Sequence, residues 1–152
     1  MYAIALHLHS LFRWVVLALA AAALGRAVQG AVARAPWRRL DDLVVRAFLV
    51  TLDVQLLVGV LLWVFWSPFG AAFREHPALA LHDREARFWG MEHQVSMILA
   101  YLVARGGSAL AKRRPNPHVA VLVTVLVWAA LVATAFPWPG GPHARPLLRL
   151  PW

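Results

Sequence analysis

Four apolar segments, each about 20 residues long, constrain this chain more than any other feature, because that length lets a helix cross a bilayer. The segments cover residues 4–24, 43–66, 87–104 and 119–136. Hydrophobic residues make up 61% of the 152-residue chain and charged residues only 14%, so the chain is far more apolar than a typical soluble domain. The sequence therefore predicts an all-α four-helix transmembrane bundle, placed in a lipid bilayer.

Short connections separate the predicted helices. They cover residues 26–42, 67–86 and 105–118, and the tail from Pro137 is too rich in proline and glycine to continue a helix. Short links between neighbouring helices favour an up-down-up-down arrangement in a single domain over residues 1–152. No lysine or arginine precedes the first apolar segment, so we expect a retained helix there rather than a signal peptide.

Basic residues are distributed unequally between the two sides of the predicted bundle. The first and third connections, with the adjoining helix ends, carry nine lysines and arginines, and the opposite side carries five. The five are Arg74, Arg84, Arg87, Arg145 and Arg149. Because basic residues stay on the cytoplasmic side, we expect both termini outside the cytoplasm. The basic residues that give the chain its net charge of +8 flank the apolar segments. This placement favours contact with anionic lipid rather than with nucleic acid.

Several kinds of chemistry are absent from the sequence. The chain has no cysteine, which excludes disulfides, thiolate metal sites and cysteine nucleophiles. It also lacks the glycine, serine and histidine motifs of nucleotide-binding proteins, hydrolases and zinc proteases. The acidic and histidine residues of the connection over residues 67–86 follow no standard zinc spacing, so they favour at most a loose metal site.

Ionisable and polar residues interrupt three of the four apolar segments. Such residues are costly inside a membrane and are therefore candidates for function. The fourth segment has only threonines as polar residues, so it is predicted to be a structural wall without a functional group. The candidates are His7, His9 and Arg13 in the first segment, Asp53 and Gln55 in the second, and Glu92, His93 and Gln94 in the third.

His9 and His93 are predicted to lie at the same depth. The first and third helices enter from the same side, and both histidines lie about five or six residues in, about 8–9 Å below the boundary. Two imidazoles at one depth suit the axial positions of a single haem. His7 points in another direction, so His9 is the preferred ligand. His118 has no histidine partner at its level, and the other histidines are expected to be solvated.

Charged neighbours surround the two histidines in the sequence. Arg13 shares a helix face with His9, and a pair with Asp53 or with Glu92 would neutralise its charge. These three residues are equally compatible with a structural ion network. Gly90 lies about one turn from His93, where the missing side chain would allow a flat ring to approach.

Short motifs in the same regions resemble a known family. HSLFRW (residues 9–14), GMEH (residues 90–93), PWP (residues 137–139) and Arg145-Pro146 occur in order over nearly the whole chain. This pattern resembles small four-helix bacterial membrane proteins that are commonly labelled "cytochrome B". The resemblance implies a haem b and a role in electron transfer in the bacterial inner membrane, with His9 and His93 as ligand candidates beside Arg13 and Glu92. The family often has histidine where this chain has Asp53.

Three functions follow as alternatives. The first is a membrane-bound cytochrome b-like electron carrier with one haem near the outer face, exchanging electrons with quinone, in which Arg84 or Arg87 helps Arg13 to balance carboxylate charge. The second is a cofactor-free accessory subunit of a larger respiratory or transport complex. The third is a small transporter or proton-conducting protein that uses Arg13, Asp53 and Glu92.

Overall fold

Four long helices form most of residues 1–144, as the sequence predicts. The computed structural model describes residues 1–144, so Arg145, Arg149 and the Arg145-Pro146 motif lie outside the described residues. The helices are α1 (Tyr2–Val32), α2 (Arg39–Leu61), α3 (Pro68–Glu75), α4 (Pro77–His82), α5 (Arg84–Arg87), α6 (His93–Ala111) and α7 (Pro117–Ala135). A π-helical turn, Leu62–Trp66, extends α2, and a second, Phe88–Glu92, joins α5 to α6. Four of the resulting continuous helices are long and apolar enough to cross a membrane.

The first and third spans are longer than predicted. The predicted helices stop at or just before an arginine, whereas α1 continues past Arg26 and α6 continues past Arg105. Each arginine is paired with an aspartate from α2: Arg26 with Asp41 at 2.7 Å, and Arg105 with Asp53. Because an opposite charge compensates each guanidinium, the helices do not have to end where the charge begins.

The second connection, predicted only as a link between two spans, is largely helical. Ser67 Oγ accepts a hydrogen bond from the Gly70 N–H at 3.2 Å, and Asp83 Oδ1 accepts one from the Ala86 N–H at 2.7 Å. These side chains cap the starts of α3 and α5. Pro68 and Pro77 begin α3 and α4, where proline needs no hydrogen-bond partner for its nitrogen. The short helices lie over the end of the bundle that holds the two candidate histidines.

The four spans pack as a ring in which each helix neighbours two others. α1 packs closely on α2 and α7, and α6 packs closely on α7, whereas α2 and α6 contact each other more sparsely. Alanines of α1 and α6 line the core, and the Phe48 ring of α2 meets the Trp128 ring of α7 edge-on at 5.0 Å. α1 and α6 are therefore diagonal, and residues near their N-terminal ends meet at the bundle axis.

Candidate functional site

A cavity of about 180 Å³ lies between the four spans. Its walls are aromatic and aliphatic side chains from α1, α2, α6, α7 and the two π-helical turns. Its polar side chains include those of His9, Arg13, Gln55, His93 and Gln94, together with the hydroxyl groups of Tyr2, Ser10, Ser67 and Tyr101. Mostly apolar walls with a few polar groups are typical of a cofactor or ligand pocket.

The cavity brings together the two histidines that the sequence predicts at matched depth. The His9 and His93 ring centroids are 6.4 Å apart, and the ring planes are inclined by 74°. His7 lies outside the cavity lining, and its Nδ1 is 2.6 Å from the Ala3 carbonyl oxygen. His9 rather than His7 therefore faces His93.

A backbone carbonyl orients the His93 ring. His93 Nδ1 lies 3.0 Å from the Ala135 carbonyl oxygen at the end of α7. Because a carbonyl only accepts, Nδ1 carries the proton and Nε2 carries the lone pair. The same arrangement orients metal-ligating histidines. The fourth span, predicted to be only a wall, thus orients a candidate ligand.

His9 is held by α2. Gln55 Nε2 donates to the His9 carbonyl oxygen at 3.1 Å and lies 3.4 Å from His9 Nε2, a contact too long to be a strong hydrogen bond. Gly59, one turn further on, makes room for the ring, because a Cβ atom there would lie 3.0 Å from His9 Cε1. Gly59 was not among the residues singled out from the sequence.

Arg13 lies in the cavity lining, but its expected ion pairs are not formed. Asp53 is bound by Arg105 through two hydrogen bonds, and Glu92 is bound by Arg87 at 2.8 Å. The guanidinium carbon of Arg13 lies 5.1 Å from the Phe136 ring centre. The predicted Arg13–Asp53 and Arg13–Glu92 pairs are therefore wrong, because α2 and α6 turn both acids toward other arginines.

Two sequence candidates face away from the cavity. Glu92, expected to bind the cofactor, is half-exposed in its pair with Arg87 and does not line the cavity. Gly90 faces α3, since a Cβ atom there would lie 3.1 Å from Phe73 Cβ and 3.2 Å from the Phe69 carbonyl oxygen. Gly90 thus allows close packing of the short helices, and Gly59 makes room at the histidines.

The two π-helical turns flank the cavity. Trp63 Nε1, from the first turn, donates to the Gly90 carbonyl oxygen of the second turn at 2.9 Å. Gln94 Nε2 donates to the Trp89 carbonyl oxygen at 2.9 Å. Single π-helical turns occur frequently at functional sites, since the extra residue redirects nearby side chains.

Polar atoms without a protein partner line the cavity. Among residues 1–144, His9 Nδ1, Gln55 Oε1 and Gln94 Oε1 are buried without a hydrogen bond. Because buried polar atoms are nearly always satisfied in folded proteins, these three atoms indicate that the cavity takes a polar ligand or water.

Comparison of the chain with protein-family models, curated proteins and solved structures finds no match.

Two histidines not expected to belong to a cofactor site, His118 and His143, pack against aromatic rings. His143, predicted to be solvated, stacks on the Phe88 ring at 3.9 Å, and its Nδ1 lies 2.7 Å from Glu85 Oε1. That prediction is wrong because the segment after α7 folds back onto α5. His118 at the start of α7 is buried against Trp37, with ring centroids 4.9 Å apart.

Proposed function

We propose that this protein is a membrane-bound, cytochrome b-like electron carrier that holds one haem b between His9 and His93. The 6.4 Å separation of the two imidazole rings carries the proposal. Two metal–nitrogen bonds of about 2 Å, with about 1 Å from each nitrogen to its ring centre, require about 6 Å. The separation therefore suits two histidines that would hold one haem iron between them.

The set of donors suits haem better than a bare metal ion. Haem brings four nitrogen ligands of its own, whereas a zinc site takes three or four ligands from the protein. Within residues 1–144, no group of three or more His, Cys, Asp and Glu side chains converges. The His93 ring, held at Nδ1 by the Ala135 carbonyl, keeps Nε2 for a metal.

Arg13 supplies positive charge beside the two histidines. It would hold the carboxylates of the bound haem through charge-assisted hydrogen bonds. Arg87, one of the two other expected counter-charges, is engaged by Glu92, and neither Arg84 nor Arg87 is among the residues that line the cavity. We assign this role to Arg13 because it lines the cavity together with His9 and His93.

Binding of so large a group requires the cavity to widen. Its volume of about 180 Å³ is below the roughly 300–1,000 Å³ of ligand pockets. The histidine spacing already suits the iron, so widening involves the surrounding apolar side chains.

When bound, haem supplies a one-electron redox couple at its iron. The chain binds it through His9 and His93, while Trp63, Trp89 and Phe136 line the cavity and restrict water. For the electron partner we propose a membrane quinone, which is confined to the bilayer that the four apolar spans are long enough to cross.

We also propose the bacterial inner membrane as the location, with both termini outside the cytoplasm. The excess of lysine and arginine around the α1–α2 and α6–α7 connections supports this orientation. The cavity then lies nearer the outer face, because His9 and His93 are close to the N-terminal ends of their spans.

An absorption spectrum tests the haem directly. The full chain, purified in mild detergent from cells with ample haem, is expected to show a Soret band and sharp α and β bands after reduction with dithionite. His9→Ala and His93→Ala are each expected to lose these bands. His7→Ala is the matched control and is expected to keep them, since the His7 ring contacts the Ala3 carbonyl outside the cavity.

A flat spectrum from helical, monodisperse protein made in those cells would contradict the proposal. The accessory-subunit alternative would then take its place, and co-purification of a larger complex would be the observation to seek. The transporter alternative lacks its proposed cluster, since Asp53 and Glu92 pair with Arg105 and Arg87 rather than with Arg13.

A further inference from the structure

The ion pair between Asp53 and Arg105 lies on the outer surface of the bundle, at the level of the membrane interior. Asp53 lies halfway along the 28-residue span Arg39–Trp66, about 21 Å from either end. Arg105 Nε donates to Asp53 Oδ1 at 3.0 Å, and a second guanidinium nitrogen donates to Oδ2. The Asp53 carboxylate is therefore inside the hydrocarbon layer, which is about 30 Å thick. The Arg105 side chain reaches it from a backbone position about 9 Å before the end of α6 at Ala111.

This ion pair is not enclosed by the four spans. The Arg105 and Asp53 side chains keep 40% and 35% of their surface exposed. Charged side chains at this depth almost always face protein or a water-filled cavity, because acyl chains offer them no hydrogen bonds. A protein surface that covers the exposed part of the pair would satisfy this preference.

Apolar side chains surround the pair on the same surface. Val50 and Leu57 lie one turn before and after Asp53 on α2, and Leu102 lies one turn before Arg105 on α6; all three are exposed. We call Val50, Asp53, Leu57, Leu102 and Arg105 the α2–α6 face. An apolar surround with a charged pair at its centre is typical of a helix interface in a membrane.

We propose that a second copy of this chain covers the α2–α6 face, forming a two-fold symmetric dimer whose axis is normal to the membrane. The charged ends of the Asp53 and Arg105 side chains contact each other, so these charged groups lie at one depth. Rotation by 180° about that axis sets the second copy's pair at the same depth, with each arginine facing an aspartate. The face is thus complementary in charge to itself, as an isologous interface must be.

Disulfide crosslinking in native membranes tests the dimer, because the chain has no cysteine of its own. In the two-fold arrangement α2 of one copy faces α6 of the other, so Val50→Cys and Leu102→Cys are carried on separate, co-expressed chains. In the matched control, Val123→Cys on α7 replaces Val50→Cys. Val50 and Val123 are both 54% exposed, and both lie about three residues before the middle of their membrane spans, Arg39–Trp66 and Pro117–Ala135. With a membrane-permeant oxidant, Val50→Cys with Leu102→Cys is expected to give a band of twice the chain mass, whereas Val123→Cys with Leu102→Cys stays monomeric.

Native mass spectrometry of the cysteine-free chain is the second measurement. A dimer is expected, and Asp53→Asn is expected to raise its dissociation constant roughly three- to tenfold. The exchanged variant Asp53→Arg/Arg105→Asp retains the complementarity and is expected to restore dimerisation. A monomer mass, equal crosslinking of both cysteine pairs, or a crosslink to a different protein would each overturn the proposal.

Discussion

At the residue scale, His93 and His118 show how the same side chain acquires different roles. Both rings lie inside the bundle, but only His93 has its Nδ1 held by a carbonyl oxygen, that of Ala135. Neither nitrogen of His118 has a hydrogen-bond partner among residues 1–144, and its ring fills the space beside Trp37 and Gly30. The Ala135 carbonyl fixes the orientation of the His93 ring, whereas His118 is a packing residue.

Gly59 gives a prediction at this scale. Gly59→Ala places a Cβ atom 3.0 Å from His9 Cε1, so the imidazole has to move by a few tenths of an ångström. We expect haem affinity to fall roughly tenfold, as for changes that disturb a ligand's support. The ratio of Soret to protein absorbance measures it.

Gly25→Ala is the control for this substitution, since a Cβ atom at Gly25 meets nothing within 4 Å. It is expected to keep full haem occupancy. Equal haem content in Gly59→Ala and Gly25→Ala would mean that the position of His9 does not matter for binding.

At the element scale, the two π-helical turns tie the second and third spans together beside the cavity. Leu62–Trp66 and Phe88–Glu92 interrupt otherwise regular helices. The Trp63 Nε1–Gly90 carbonyl hydrogen bond connects them directly. This contact holds the aromatic wall where α2 and α6 otherwise pack sparsely.

Trp63→Phe removes this hydrogen bond and retains an aromatic ring. We expect the free energy of unfolding to fall by about 1 kcal/mol, the usual contribution of one hydrogen bond. Thermal unfolding in detergent, followed by circular dichroism, measures the change. Trp66→Phe, at the exposed end of the same turn, is expected to have a smaller effect, and the reverse order would contradict this assignment.

At the scale of the whole molecule, arginine–aspartate pairs connect neighbouring spans in addition to the packing of the apolar core. Asp41, at the start of α2, accepts hydrogen bonds from Arg26 of α1 and from the Arg38 backbone N–H. Its side chain is only 2% exposed. Its neighbour Asp42 pairs with Arg46 at the surface of the same helix.

The adjacent aspartates form a matched pair for mutation. Asp41→Ala leaves Arg26 without its carboxylate and the start of α2 uncapped, so we expect a loss of roughly 2–4 kcal/mol in unfolding free energy. Asp42→Ala breaks a mostly exposed pair and is expected to cost less than about 1 kcal/mol. Thermal unfolding of both variants in one detergent measures the difference, and losses of equal size would show that Asp41 does not join α1 to α2.

The amino-acid sequence by itself determined the fold class and the depth of the histidines. Apolar length is a local property, so four spans can be read directly from the chain. Depth follows from counting residues along a helix, and for this reason the proximity of His9 and His93 was predictable. Their proposed role as haem ligands stays a prediction.

Only the tertiary structure decided which side chains meet around the bundle. Arg105 rather than Arg13 binds Asp53, because pairing depends on how each helix is rotated about its axis. The contacts of the Ala135 carbonyl with His93 and of Gly59 with His9 could not be predicted from the sequence. Every residue has a backbone carbonyl, and the role of a glycine is evident only from the side chain that packs against it. The position of a residue along its own helix follows from the sequence, but contacts between side chains depend on how several helices are rotated and packed against each other.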